Sequence, residues 1–115
     1  MHVADPTLVI DLEQLKDITL EDEELMREVL SALIEDTSRQ LVLLDSAIRR
    51  QDTRSCVRLA HYSKGACANV GANRAAATLK RIEQDAARCA FDDCSASVQF
   101  LLEELDHLRH EAAAL

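Results

Sequence analysis

Residues 19–51 read TLEDEELMREVLSALIEDTSRQLVLLDSAIRRQ, with no Gly or Pro among them. Within this run Met26, Leu30, Leu33, Thr37, Leu41, Leu44 and Ile48 recur at steps of three and four. That is the period of one face of an α-helix, so the run predicts one long amphipathic helix whose apolar stripe must be covered by other elements. Thr19-Leu20-Glu21-Asp22 has the spacing of a capping box and is expected to start it.

Turn and cap residues divide the rest of the chain. A short helix is expected from about Asp11 to Asp17. Asp52 is a suitable N-cap for a third helix ending near Gly71, where a glycine can supply the left-handed residue that stops a helix. Asn73 can cap a fourth helix with the stripe Ala75, Leu79, Ile82, Ala86 and Cys89. Asp92 or Asp93 can cap a fifth, with the stripe Val98, Leu101, Leu102, Leu105 and Leu108. Four long one-sided helices joined by short turns pack stripe against stripe, which predicts an all-α antiparallel four-helix bundle with a short additional N-terminal helix over one end.

Composition agrees with this. The chain is 48% hydrophobic and 30% charged with two Gly, one Pro and no Trp, and its apolar residues are mostly Leu and Ala. That bias favours helices over sheet. At 115 residues, with no repeat or Gly/Ser linker, residues 1–115 are expected to form a single domain. Thirteen Lys and Arg against 21 Asp and Glu leave a net charge of -8, the wrong sign for following a nucleic-acid backbone or an anionic membrane surface. The opening Met1-His2-Val3-Ala4-Asp5-Pro6 lacks the charged start and apolar run of a secretory signal, and no stretch is apolar enough to span a membrane. The cytoplasm is the expected compartment. Cys56, Cys67, Cys89 and Cys94 form no C-x-x-C pair and are read as reduced, with Cys56 and Cys67 packing as small hydrophobes.

The third helix carries the chemistry. Turning 100° per residue from His61 places Cys56, Leu59, Ala60, Ser63, Cys67 and Val70 in a far arc that forms the core face. His61 then projects to solvent with Arg54, Arg58, Lys64, Gly65 and Ala68 around it. Three cations about one histidine make a local positive patch on an acidic protein, suited to an anion or an acidic partner. Gly65 costs about 1 kcal/mol in a helix interior relative to Ala. With Ala68 one turn beyond, it leaves the surface beside the imidazole almost bare. A free imidazole titrates near about 6.5, so a useful fraction is neutral and nucleophilic at neutral pH. Lys64, one turn away, can neutralise phosphoryl oxygens.

The run Ala60-His61-Tyr62-Ser63-Lys64-Gly65-Ala66-Cys67-Ala68-Asn69-Val70-Gly71-Ala72 resembles the signature of histidine-containing phosphotransfer domains, which reads H-x-(apolar)-K-G, a small-residue stretch, then N-(apolar)-G. Leu79, Ile82 and Glu83 are similar to the family's L-x-x-L-E run, and Leu44, Ala47 and Ile48 lead into Asp52 as in the family. The resemblance covers about residues 25–88. It implies that His61 is the phosphoacceptor, that Lys64 stabilises phosphoryl charge and that Arg54, Arg58, Gly65 and Ala68 lie where a partner docks. Lys80 and Glu83, by position, could approach from the fourth helix to orient the ring. Ser63 stands where the family has an aliphatic residue and is expected to lose some core burial and bond back to the preceding turn.

The implied function is a phosphorelay intermediate between a receiver domain of a hybrid histidine kinase and a response regulator. It would be a monomeric carrier rather than a stand-alone catalyst, with no cofactor of its own and Mg2+ held in the partner. The Met1 start and full set of bundle helices are those expected of a free-standing shuttle. A sensor-kinase helix would follow its histidine with an acidic, an apolar and a basic residue and continue into an ATP-binding domain, and this chain does neither. His2, His107 and His110 read as solvated side chains. The last two, three apart, lack the carboxylates or thiols that would complete a metal site. The competing reading from another class is a helical adaptor that docks receiver domains without being phosphorylated.

Overall fold

The structure, a computed structural model, describes residues 5–115. The His2 reading and most of the N-terminal leader reading lie outside the described residues. Among the described residues every regular element is a helix: α1 (Leu12–Ile18), α2 (Glu23–Arg49), α3 (Thr53–Val70), α4 (Asn73–Ala87) and α5 (Phe91–Ala113). α2 packs against α3 and α5, and α4 closes the ring between them, while α1 touches α3. This is the expected all-α bundle with its short extra helix. The stripe of α2 is buried at all seven expected positions. Leu15, Leu30, Leu44, Leu79, Ile82, Leu101, Leu105 and Leu108 fill the centre.

The helix ends depart from expectation in instructive ways. Thr19 does not start α2. Its hydroxyl donates to the Leu15 carbonyl at 2.7 Å, closing α1. Leu20 and Glu21 then turn the chain through left-handed conformations, and Asp22 caps α2 by accepting from the Leu25 amide at 3.1 Å. Asn73 is the first residue of α4 rather than its cap, because its amide is engaged with the Asp5 carbonyl at 3.1 Å; Ala72 takes the cap position without a side-chain bond. α5 starts after Ala90, so Asp92 and Asp93 lie in its first turn, where carboxylates still complement the helix dipole.

Two stripe residues are also corrected. Cys89 lies beyond the end of α4, in a left-handed turn at φ 59°, and is exposed. Leu102 is 46% exposed, while Glu104 is 1% exposed, held by Arg74 of α4 with Nε 3.0 Å from Oε2 and Nη2 3.2 Å from Oε1. Ser63 does not lose core burial as expected: it is 2% exposed.

The α3–α4 corner positions everything that follows. Gly71 caps α3 at φ 95°, and its carbonyl accepts the Asp11 amide at 2.8 Å. A Cβ on Gly71 would stand 2.9 Å from the Asp11 carbonyl oxygen, whereas one on Gly65 would meet nothing within 4 Å. The two glycines therefore respond oppositely to alanine. Gly71→Ala should lose about 1–3 kcal/mol, from left-handed strain plus the clash with Asp11. Gly65→Ala should gain a few tenths to about 1 kcal/mol from helix propensity. Urea denaturation of both variants checks this; equal effects would mean that neither the corner nor the open face is as described.

Candidate functional site

α3 buries Cys56, Ala60, Ser63 and Cys67, with Leu59 and Val70 partly covered. This leaves His61 on the opposite side with 68% of its side chain exposed. On α4 the core residues Ile82 and Ala86 set Glu83 at the edge of the helix facing α3. Its carboxylate makes two bonds: Oε2 lies 3.0 Å from His61 Nδ1, and Oε1 accepts from Lys64 Nζ at 2.7 Å. An ionised carboxylate only accepts, so the neutral ring carries its proton on Nδ1 and turns the Nε2 lone pair to solvent.

Partial burial would raise the Glu83 carboxyl, but the hydrogen bonds from Lys64 and His61 outweigh it and hold the group below the usual carboxylate range. A lowered carboxyl contributes stability above the value of a free Glu, about 4.3, and loses it as pH falls through the lowered value. The bridge is therefore intact at neutral pH.

Of the predicted neighbours, Arg54 and Arg58 are exposed and share with Val57, His61, Tyr62 and Glu83 an open recess of about 800 Å³. Lys64 is near His61 as expected but is not a free cation, because Glu83 neutralises it. Gly65 and Ala68 leave the adjoining surface bare, as expected. Of the two candidates on α4, only Glu83 reaches the ring. Lys80 is turned toward a neighbouring recess that it shares with Lys64, Gly65 and Ala68, and it makes no bond to His61.

Tyr62 was not singled out by the sequence; its hydroxyl donates to Asp36 Oδ2 on α2 at 3.1 Å, tying the exposed side of α3 to α2. A polar partner one bundle helix away carries no signal in sequence spacing.

The other chemistry-bearing groups lie apart. His110 Nδ1 sits on the Asp106 carbonyl at 2.8 Å and His107 faces Glu104 at 3.9 Å, so the pair does not converge. No metal-binding cluster occurs among the described residues. All four cysteines are free, and burial pushes the Cys67 and Cys94 thiols up to about 11, so these behave as inert core groups. None of the described helices is long and apolar enough to cross a membrane.

Against known proteins, the family model for the Hpt domain matches residues 28–111. The fold is similar to that of histidine-containing phosphotransfer protein B (HptB) from Pseudomonas aeruginosa PAO1, with a TM-score of 0.84, 22% identity and 94% of each chain covered. No curated protein matches. With the matched segment running from α2 through α5 and enclosing the His61, Lys64 and Glu83 cluster, the chain belongs to the Hpt domain family, the histidine phosphotransfer modules of two-component signalling.

Proposed function

We propose that His61 accepts a phosphoryl group from the aspartyl phosphate of a receiver domain in a hybrid histidine kinase and passes it to the receiver aspartate of a response regulator. The observation that carries this reading is the exposed imidazole held at Nδ1 by Glu83 at 3.0 Å, with Nε2 free. In the forward step the Nε2 lone pair attacks phosphorus, an N–P bond forms, the acyl P–O bond breaks and the donor aspartate leaves as a carboxylate. The proton stays on Nδ1, where Glu83 offsets the positive charge that develops on the ring. The second transfer reverses these bonds on the next aspartate.

Transfer of this kind needs chiefly an in-line nucleophile and charge stabilisation. The receiver supplies Mg2+ and the aspartate. This chain supplies the oriented ring and Lys64, whose ammonium can move from Glu83 to the phosphoryl oxygens. Arg54, Arg58, Gly65 and Ala68 form the docking face, with the arginines meeting acidic groups of the receiver and the bare surface admitting close approach. The protein acts as a monomeric cytoplasmic carrier without ATP chemistry of its own.

Variants at four positions test the roles separately. His61→Gln should fold normally and carry no acid-labile phosphate from a phosphorylated receiver or from phosphoramidate. Labelling of another histidine would remove the assignment, and an unlabelled parent chain would leave the adaptor reading.

Glu83→Ala should slow phosphoramidate labelling on the order of tenfold by freeing the ring, whereas Glu83→Gln, which still accepts from Nδ1–H, should retain most of the rate. Lys64→Ala should slow transfer or shorten the phosphohistidine lifetime while costing less than about 1 kcal/mol, as expected of a partly exposed ion pair. An unchanged rate there means that the receiver supplies all the charge stabilisation.

Gly65→Glu should leave the bundle folded and phosphoramidate labelling intact while blocking transfer from a receiver. Normal receiver transfer in that variant would take Gly65 out of the docking face.

A further inference from the structure

His61, Lys64 and Glu83 bridge the seam between α3 and α4. The seam diagonally opposite in the bundle, between α2 and α5, holds two adjoining recesses of about 640 and 430 Å³. Ser38 and Arg109 line both, and Arg109 Nη2 donates to Ser38 Oγ at 3.4 Å across the boundary between them.

The two recesses differ in chemistry. In the first, Arg27 and Arg109 stand against one carboxylate, Glu35, and Ser31, Ala112 and Ala113 keep the relief low. Arg27 donates to the Leu115 carbonyl at 3.1 Å and makes no ion pair among the described residues. Arg109 is held only by an exposed pair to Asp106 on its own helix, a kind of pair weak enough to exchange for another carboxylate. The second recess is apolar. Leu41 and Val98 are buried at its base, while Val42 on α2 and Leu102 on α5 are 70% and 46% exposed. Leu102 belongs by period to the apolar stripe of α5, yet it lines this recess instead of filling the core.

We infer that the α2–α5 seam is a docking groove for a partner other than the receiver, an amphipathic helix whose first turn is acidic. The seam shares no residue with the His61 recess, so the inference stands apart from the phosphoryl transfer proposed above.

Length and polarity argue for a helix. Arg27 to Arg49 of α2 line the seam over about 33 Å, at a rise of ~1.5 Å per residue, which admits a partner helix of about 20 residues. A stripe at steps of three and four would cover Val42 and Leu102. Carboxylates in the first turn of that helix would meet Arg27 and Arg109 and would also complement its own dipole. Charge argues for acid. In a chain of net charge -8 the seam is lined by three arginines, with Arg49 joining the other two, against Glu35 and Asp45. An acidic helix is drawn to such a site and repelled by most of the remaining surface, whereas a second copy would bring its own charge of -8.

Two helical peptides of about 20 residues test this on the full-length chain, each with leucines at steps of three and four, one with Glu and the other with Lys in its first turn. Fluorescence anisotropy gives the Kd of each. The Glu peptide should bind the parent chain on the order of tenfold more tightly than the Lys peptide, and Arg27→Glu should reverse that order. Val42→Glu should weaken both peptides on the order of tenfold, while the thermal midpoint and His61 labelling by phosphoramidate stay at the parent values. No binding of the Glu peptide, equal Kd for the two peptides, or an order that Arg27→Glu leaves unchanged overturns the inference. Self-association of the parent chain in sedimentation velocity that Val42→Glu abolishes assigns the seam to a second copy and overturns it as well.

Discussion

The left-handed corner at Gly71 is the constraint from which the site follows. It folds α4 back along α3 through a two-residue turn, and it does so against the Asp11 carbonyl, with no room for a side chain. The fold-back fixes which residues of the two helices face each other. His61 and Glu83 are 22 residues apart in sequence and 3.0 Å apart in space only because the corner sets that register. The same corner accepts the Asp11 amide at Gly71 and donates the Arg74 amide to Leu8, so residues 5–11 and the site share one anchor.

At the site, one carboxylate serves two side chains. Glu83 takes the Nδ1 proton side of His61 with one oxygen and the Lys64 ammonium with the other. Orientation of the ring is thereby coupled to the position of the lysine. Lys64 is paired rather than free, and Arg54 and Arg58 line the recess beside the imidazole. On the reading proposed above, the oxygens of a phosphoryl group on Nε2 would compete with Glu83 for the ammonium, and the carboxylate would be left to face a more positive ring. On that reading the arrangement suits a carrier: the charges that would stabilise the loaded state are present from the start and would only exchange partners.

Much of this was legible in the sequence, for identifiable reasons. The stripe of α2 and the two faces of α3 follow from a period of 3.6 residues, which depends on nothing outside the helix. Helix ends were less legible because caps are competitive. Thr19 and Asn73 are good N-caps by residue type, but the Thr19 hydroxyl closes α1 on the Leu15 carbonyl and the Asn73 side chain holds the Asp5 carbonyl, competing uses that residue type alone does not decide. Leu102, expected on the α5 stripe, is half-exposed while Glu104 is buried, where Arg74, on another helix, pairs with it. The choice between Lys80 and Glu83 has the same character. Both sit on α4 at plausible spacing, and only the inter-helix register decides that Glu83 reaches the ring. The fastening of residues 5–11 to the corner was invisible because two of its three bonds are backbone to backbone, which every residue type except proline can donate.

How the chain uses glycine separates structure from function at the surface. Leu20, Glu21, Gln51 and Cys89 all adopt positive φ at helix ends, conformations in which glycine is the least strained residue, yet none of them is glycine. Ordinary side chains evidently satisfy the turns of this fold. Gly71 differs because a close approach excludes even a methyl group. Gly65 has neither justification: it lies mid-helix, its Cβ direction is open, and alanine there would favour the helix. A residue that weakens the isolated chain and relieves no contact within it, one turn from the exposed imidazole, supports the docking face proposed above.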